Sequence, residues 1–133
     1  MSDELKKISV VSLFVEDVQA TKTFYQDVFG VSVAYEDDAA AGLQFENVMI
    51  NLVKVEEAAG LVAPAPVASR EAGSRFQVSI WVADVDAVCL ELKRRGVDLV
   101  TEPTDQPWGM RTATFVDPAG NSWEVAAGIG GEG

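Results

Sequence analysis

The chain has 133 residues, 48% hydrophobic and 23% charged, a balance that fits one folded domain and excludes an intrinsically disordered polymer. Twenty-one acidic against ten basic residues give a net charge of −11, a field that repels nucleic-acid phosphates and anionic membrane surfaces and attracts cations. Histidine is absent and cysteine occurs once, which excludes imidazole-based catalysis, Cys/His zinc sites of the usual kind and any internal disulfide.

No apolar run approaches the roughly 20 residues of a membrane span. The segment from Met1 to Lys7 lacks the basic-then-apolar order of a secretory signal. With a single cysteine, the expected location is the cytoplasm.

In chain order, Ile8–Val15 is a β-branched and apolar run that predicts a strand. From Val18 to Phe29 the spacing becomes helical, with Val18, Thr21, Phe24, Tyr25, Val28 and Phe29 on one face. Asp17 stands at the N-cap position and Gly30 where a left-handed residue closes the last turn. Short strands are predicted at about Val31–Tyr35, Gly42–Glu46 and Val48–Val55. The Ala-, Pro- and Gly-rich residues 56–75 read as a connection, long enough to include a lid, a short helix or a subunit contact.

Phe76–Val82 predicts another strand. Val85–Arg95 is again helical, with Val85, Val88, Cys89 and Leu92 on one face, Asp84 at its start and Gly96 at its end. Cys89 is expected to be an inert buried thiol. Strand-like runs follow at about Asp98–Thr101, Arg111–Val116 and Asn121–Ala126. Each half therefore reads β-α-β-β-β, module 1 over about 8–55 and module 2 over about 76–127. The two capping aspartates lie 67 residues apart and the two glycines 66, which marks an internal repeat.

Side chains alternate between the faces of a strand. The apolar sets Val11, Leu13, Val15 and Phe76, Val78, Ile80, Val82 belong under the helices. The mixed sets correspond position by position: Val10 with Gln77, Ser12 with Ser79, Phe14 with Trp81. In the same way Asn51 corresponds to Glu124, while Trp123 faces the core. Two curved sheets turned toward each other would enclose a cleft lined by the mixed sets.

The repeated β-α-β-β-β pattern and the stretch from Trp108-Gly109 through Asp117-Pro118-Ala119-Gly120-Asn121 to Trp123-Glu124 resemble the vicinal oxygen chelate superfamily, over Ile8 to about Ala127. That superfamily includes glyoxalase I, extradiol dioxygenases and bleomycin-resistance proteins. The resemblance implies an α+β fold, a single domain of two tandem βαβββ modules with curved mixed sheets around a cleft, and a homodimer. In metal-dependent members the first, fourth, fifth and eighth strands each carry a metal ligand. The corresponding positions are Val10, Asn51, Gln77 and Glu124, with one anion among them and no imidazole.

The chain resembles the bleomycin-resistance branch better than the enzymes. The expected activity is therefore sequestration of a small cationic or aromatic organic molecule, such as an antibiotic, with no metal, cofactor, nucleic-acid or membrane partner. Phe14, Trp81 and Trp108 offer aromatic faces. Ser12, Asn51, Gln77 and Ser79 orient polar groups, and Glu124 pairs with a ligand cation. Arg111 either contacts the ligand or neutralises Glu124 or a surface carboxylate. Two alternatives stay open. One is a lyase, isomerase or dioxygenase-like enzyme using Glu124 as the catalytic residue with a weakly held divalent metal. The other is an accessory interaction module without a ligand.

Overall fold

The first apolar run builds β1 (Val10–Val15), and Glu16-Asp17 turns the chain into α1 (Val18–Phe29). The Asp17 carboxylate accepts from the Ala20 amide at 3.0 Å and caps the helix. Gly30, at φ 68°, closes its C-terminal end. Three strands follow, β2 (Ser32–Glu36), β3 (Ala40–Gln44) and β4 (Met49–Lys54), and then α2 (Val55–Val62). The second half repeats the plan with β5 (Gln77–Trp81), α3 (Val85–Arg94), β6 (Thr101–Asp105), β7 (Met110–Val116) and β8 (Ser122–Gly128). This computed structural model describes residues 3–130, and the chain divides into two compact units between Ser69 and Arg70.

The fold is α+β. The first unit holds a mixed sheet in the order β1-β4-β3-β2 and the second a mixed sheet in the order β5-β8-β7-β6. In each sheet the first and last strands of the module pair in parallel, Ser12 opposite Asn51 and Ser79 opposite Glu124, and the remaining pairs are antiparallel. The sequence repeat is thus a repeat of register.

In the first unit Leu13, Val15, Leu43, Ile50 and Leu52 are buried with Val18, Thr21, Tyr25 and Val28 of α1. In the second unit Ala113, Phe115, Trp123 and Val125 are buried with Val85, Cys89 and Leu92 of α3. Phe115 and Trp123 are cross-strand partners whose rings stack at 6.4 Å. Each such aromatic contributes roughly 1.5–3 kcal/mol by leaving water. One face of each sheet is thereby committed to its helix.

Several boundaries differ from the sequence expectation, among them the third strand, expected at Gly42–Glu46 and found at Ala40–Gln44. The sixth strand is not Asp98–Thr101 but Thr101–Asp105, an edge strand in which Pro103 sits at a register shift. The fourth strand stops at Lys54, and Val55–Val62 is a helix. This helix fills the start of the 56–75 connection, where a short helix is one of the expected options, and the two units divide later in the same connection, between Ser69 and Arg70.

The Asp117–Asn121 motif makes the turn from β7 to β8. The buried Asp117 carboxylate accepts from the amides of Ala119 and Asn121 and from Asn121 Nδ2, each at 2.9 Å. Arg70 Nη1 donates to Pro118 O at 2.9 Å on the same turn.

Candidate functional site

The open face of the second unit is strongly polar. Its central row runs from Ser79 on β5 through Glu124 on β8 and Thr114 on β7 to Thr101 on β6. Ser79 Oγ donates to Glu124 Oε1 at 2.8 Å, and the Thr101 and Thr114 hydroxyls bond each other at 2.7 Å. In the row on one side, Gln77 Nε2 donates to Ser122 Oγ at 3.0 Å. In the row on the other, Trp81 lies opposite Ala126 with Thr112 beyond it, and Gln106 Nε2 donates to Thr112 Oγ1.

Glu124 is half-buried, yet no lysine or arginine pairs with it among the described residues. Its Oε2 and the Gln77 Oε1 have no partner there, so the face offers acceptors to an incoming group. Trp81 is 75% exposed although it is the largest apolar side chain of its strand. It stands one strand repeat, roughly 7 Å along the chain, from Ser79.

Arg111 does not join this face. It lies opposite Ala127 on the helix side of β7, where Nε and Nη2 grip the Asp86 carboxylate of α3 at 2.8 and 3.0 Å and Nη1 reaches Asp105 at 3.0 Å. Of the sequence alternatives, the surface-carboxylate role is the one the geometry brings about. The guanidinium beside it holds Asp86 below the ordinary carboxylate range, and those two carboxylates push Arg111 further up.

Trp108, 67% exposed, sits in the β6–β7 turn with Gly109, whose amide donates to Gln106 O at 3.1 Å. Gly109 O accepts from the Ile129 amide, which ties this turn to the end of β8.

On the open face of the first unit, Ser12, Asn51, Gly42 and Tyr35 form the central row across β1, β4, β3 and β2. The Tyr35 hydroxyl donates to Asn51 Oδ1, and Asn51 Nδ2 faces Ser12 Oγ at 3.5 Å. Val10 and Met49 flank this row on one side, and the half-buried Phe14 and the buried Val53 on the other. The inward bond of Tyr35 was not among the sequence expectations, nor were the Thr101–Thr114 pair and Thr112. The threonines carry a signal in the Thr-Ala-Thr-Phe alternation of 112–115. Tyr35 carries none, because the register shift between Val33 and Tyr35 sets its direction.

A model of the glyoxalase/bleomycin resistance protein/dioxygenase superfamily matches residues 7–125. The chain belongs to this superfamily. The protein YraH of Bacillus subtilis (strain 168), itself described as uncharacterized, is 29% identical over 123 residues, covering 90% of this chain and 96% of its own. Among solved structures, a glyoxalase/bleomycin resistance protein/dioxygenase from Nocardioides superposes with TM-score 0.84 at 23% identity, over 94% of this chain and 85% of its own. The lactoylglutathione lyase of Agrobacterium tumefaciens gives 0.71 at 24%, over 91% and 92%. At these identities the structural likeness is one of fold.

The superfamily implies a divalent metal in some members, and the residues here do not fit one. Val10 has no donor atom, and Asn51 Oδ1 already accepts the Tyr35 proton. Gln77 is neutral, with its amide nitrogen bound to Ser122, so Glu124 is the one anion of the four. Borderline transition ions favour imidazole and thiolate. No group of three or more His, Cys, Asp or Glu side chains suited to a metal occurs among the described residues.

Proposed function

We propose that this chain is a metal-independent binding protein that sequesters a small cationic or aromatic organic molecule, an antibiotic being the leading class, on the open face of its second unit. The observation that carries this reading is the Glu124 carboxylate. It is half-buried on a polar face, steadied by Ser79 and without a basic partner among the described residues. A half-buried carboxylate with a free oxygen attracts a positively charged donor. The exposed indole of Trp81 adds a flat apolar surface, suited to stacking and to cation–π contact worth about 0.5–2 kcal/mol. The net charge of −11 draws cations toward the protein as a whole.

The test is a calorimetric titration with a panel of cationic aromatic antibiotics that includes bleomycin. Saturable binding is expected, weakened about tenfold in Glu124→Gln and in Trp81→Ala, since each removes a contact worth roughly 1–2 kcal/mol. Glu46→Gln, an exposed charge away from both sheet faces' central rows, should bind like wild type. Absence of binding across the panel contradicts the reading. The enzymatic alternative would use the same Glu124 as a proton acceptor. It would instead give turnover of hemithioacetals or catechols that disappears in Glu124→Gln.

A further inference from the structure

The open face of the first unit carries a polar arrangement of its own. Gly42 is the cross-strand neighbour of both Tyr35 and Asn51. A Cβ at Gly42 would fall 2.6 Å from Tyr35 Cδ1 and 3.0 Å from Met49 Sδ. Only a glycine there lets the phenol ring cross β3 and reach Asn51, and a glycine inside a strand otherwise weakens it by leaving nothing to pack.

The bond that results has a chemical consequence. A carboxamide offers a carbonyl acceptor on one side and two N–H donors on the other, and its neighbours decide which side is free. The Tyr35 proton is spent on Asn51 Oδ1, so the amide is turned to present Nδ2 as a donor. The Ser12 hydroxyl accepts weakly from that nitrogen and keeps its own proton for a second donation. Around these donors stand Val10, Met49, Phe14 and the Tyr35 ring, an apolar and aromatic surround with a few placed polar groups. Such a surface suits an uncharged acceptor. An anionic acceptor would meet the unfavourable field of the whole chain.

We propose that Tyr35 is a specificity-determining residue of a subsite on this face, which holds an uncharged aromatic carbonyl compound through its carbonyl oxygen at Asn51 Nδ2. The inference rests on the small-molecule-binding reading of the chain, but not on Glu124.

The test follows the Asn51 side-chain amide by 1H–15N NMR during titration with acetophenone, with toluene as the probe lacking the carbonyl. Acetophenone should shift the Asn51 Nδ2 resonances saturably, and toluene should leave them in place. Tyr35→Phe keeps the ring over Gly42 and removes only the hydroxyl. It should unfold in urea at the wild-type midpoint yet bind acetophenone about tenfold more weakly. Asn51→Asp, which offers acceptors only and has no side-chain amide to follow, should bind acetophenone at least about tenfold more weakly when the acetophenone signals themselves are watched.

No shift of Asn51 in the wild-type protein overturns the subsite. Equal binding by Tyr35→Phe reduces Tyr35 to a space-filler over Gly42 and overturns its role. Either failure leaves the calorimetric result for Glu124 and Trp81 as it stands, so the two readings fail separately.

Discussion

Ser79 and Glu124 face each other across the parallel β5–β8 pair and share a hydrogen bond of 2.8 Å. At the equivalent place in the first unit, Ser12 faces Asn51. One serine thus bonds a carboxylate and the other faces an amide, so the two repeated modules carry different polar groups on one plan. Ser79→Ala should leave Glu124 loosely held. Affinity for a cationic ligand is expected to fall about three- to tenfold, while stability changes by no more than about 1 kcal/mol because the bond is exposed to water. Paired calorimetry and urea unfolding separate the two effects.

The Asp117 turn should behave in the opposite way. Its carboxylate is 1% exposed and satisfies two backbone amides and one side-chain amide. Asp117→Ala leaves these donors without their acceptor and should cost about 2–4 kcal/mol in urea unfolding. Asn121→Ala, which removes one side-chain partner only, should cost about 1 kcal/mol.

Gly42 and Tyr35 should be energetically coupled. Gly42→Ala places a methyl group against the ring and is expected to destabilise the protein by about 1–3 kcal/mol. In Tyr35→Ala the obstacle is gone, so adding Gly42→Ala to it should cost little. A double-mutant cycle by urea unfolding reads the coupling directly. Additive effects would mean that the ring has another place to go.

Arg111 ties α3 to β6 through Asp86 and Asp105, and its hydrogen bonds, the main cause, hold the Asp86 pKa below the ordinary value. A carboxylate with a depressed folded pKa adds stability above its unfolded pKa and loses it as pH falls through the folded value. Arg111→Ala should therefore be less stable than wild type near neutral pH. The gap should narrow as the solution is acidified below about pH 4, where Asp86 protonates in the unfolded chain. Urea midpoints across that range check the sign. Arg111→Lys should recover only part of the loss, because an ammonium cannot make the two-pronged contact.

Cys89 is buried on α3, and burial, reinforced by the charges of Asp86 and Glu102, pushes its thiol up from the ordinary value. Folded protein near pH 8 should react with a thiol-specific reagent at least about tenfold more slowly than urea-unfolded protein. Equal rates would show that α3 opens readily.

Helix α1 is legible in the sequence to the residue, because Asp17, the apolar spacing and Gly30 all act within a few positions of the chain. The faces of β1, β5 and β8 are legible for a similar reason, since period-two alternation needs no knowledge of partners. Strand β6 escapes this logic. Thr-Glu-Pro-Thr-Asp has no apolar alternation, and its strand identity comes from pairing with β7. Helix α2 begins at Val55, and its N-cap Lys54 makes no side-chain cap bond, so no local signal separates it from β4. Trp81, Glu124 and Asn51 are legible as face residues. The direction of Arg111 toward Asp86 and of Tyr35 toward Asn51 depends on cross-strand register and helix placement, which a single sequence does not display.

Recognition of a cation by Glu124 without a metal is the central expectation for this chain. The most direct measurement is titration of the wild-type protein with bleomycin before and after exhaustive chelation, alongside Glu124→Gln. Affinity unchanged by the chelator and about tenfold weaker in Glu124→Gln is the predicted result. Affinity that vanishes on chelation and returns with nickel, manganese or zinc, whatever residue stands at 124, would contradict it.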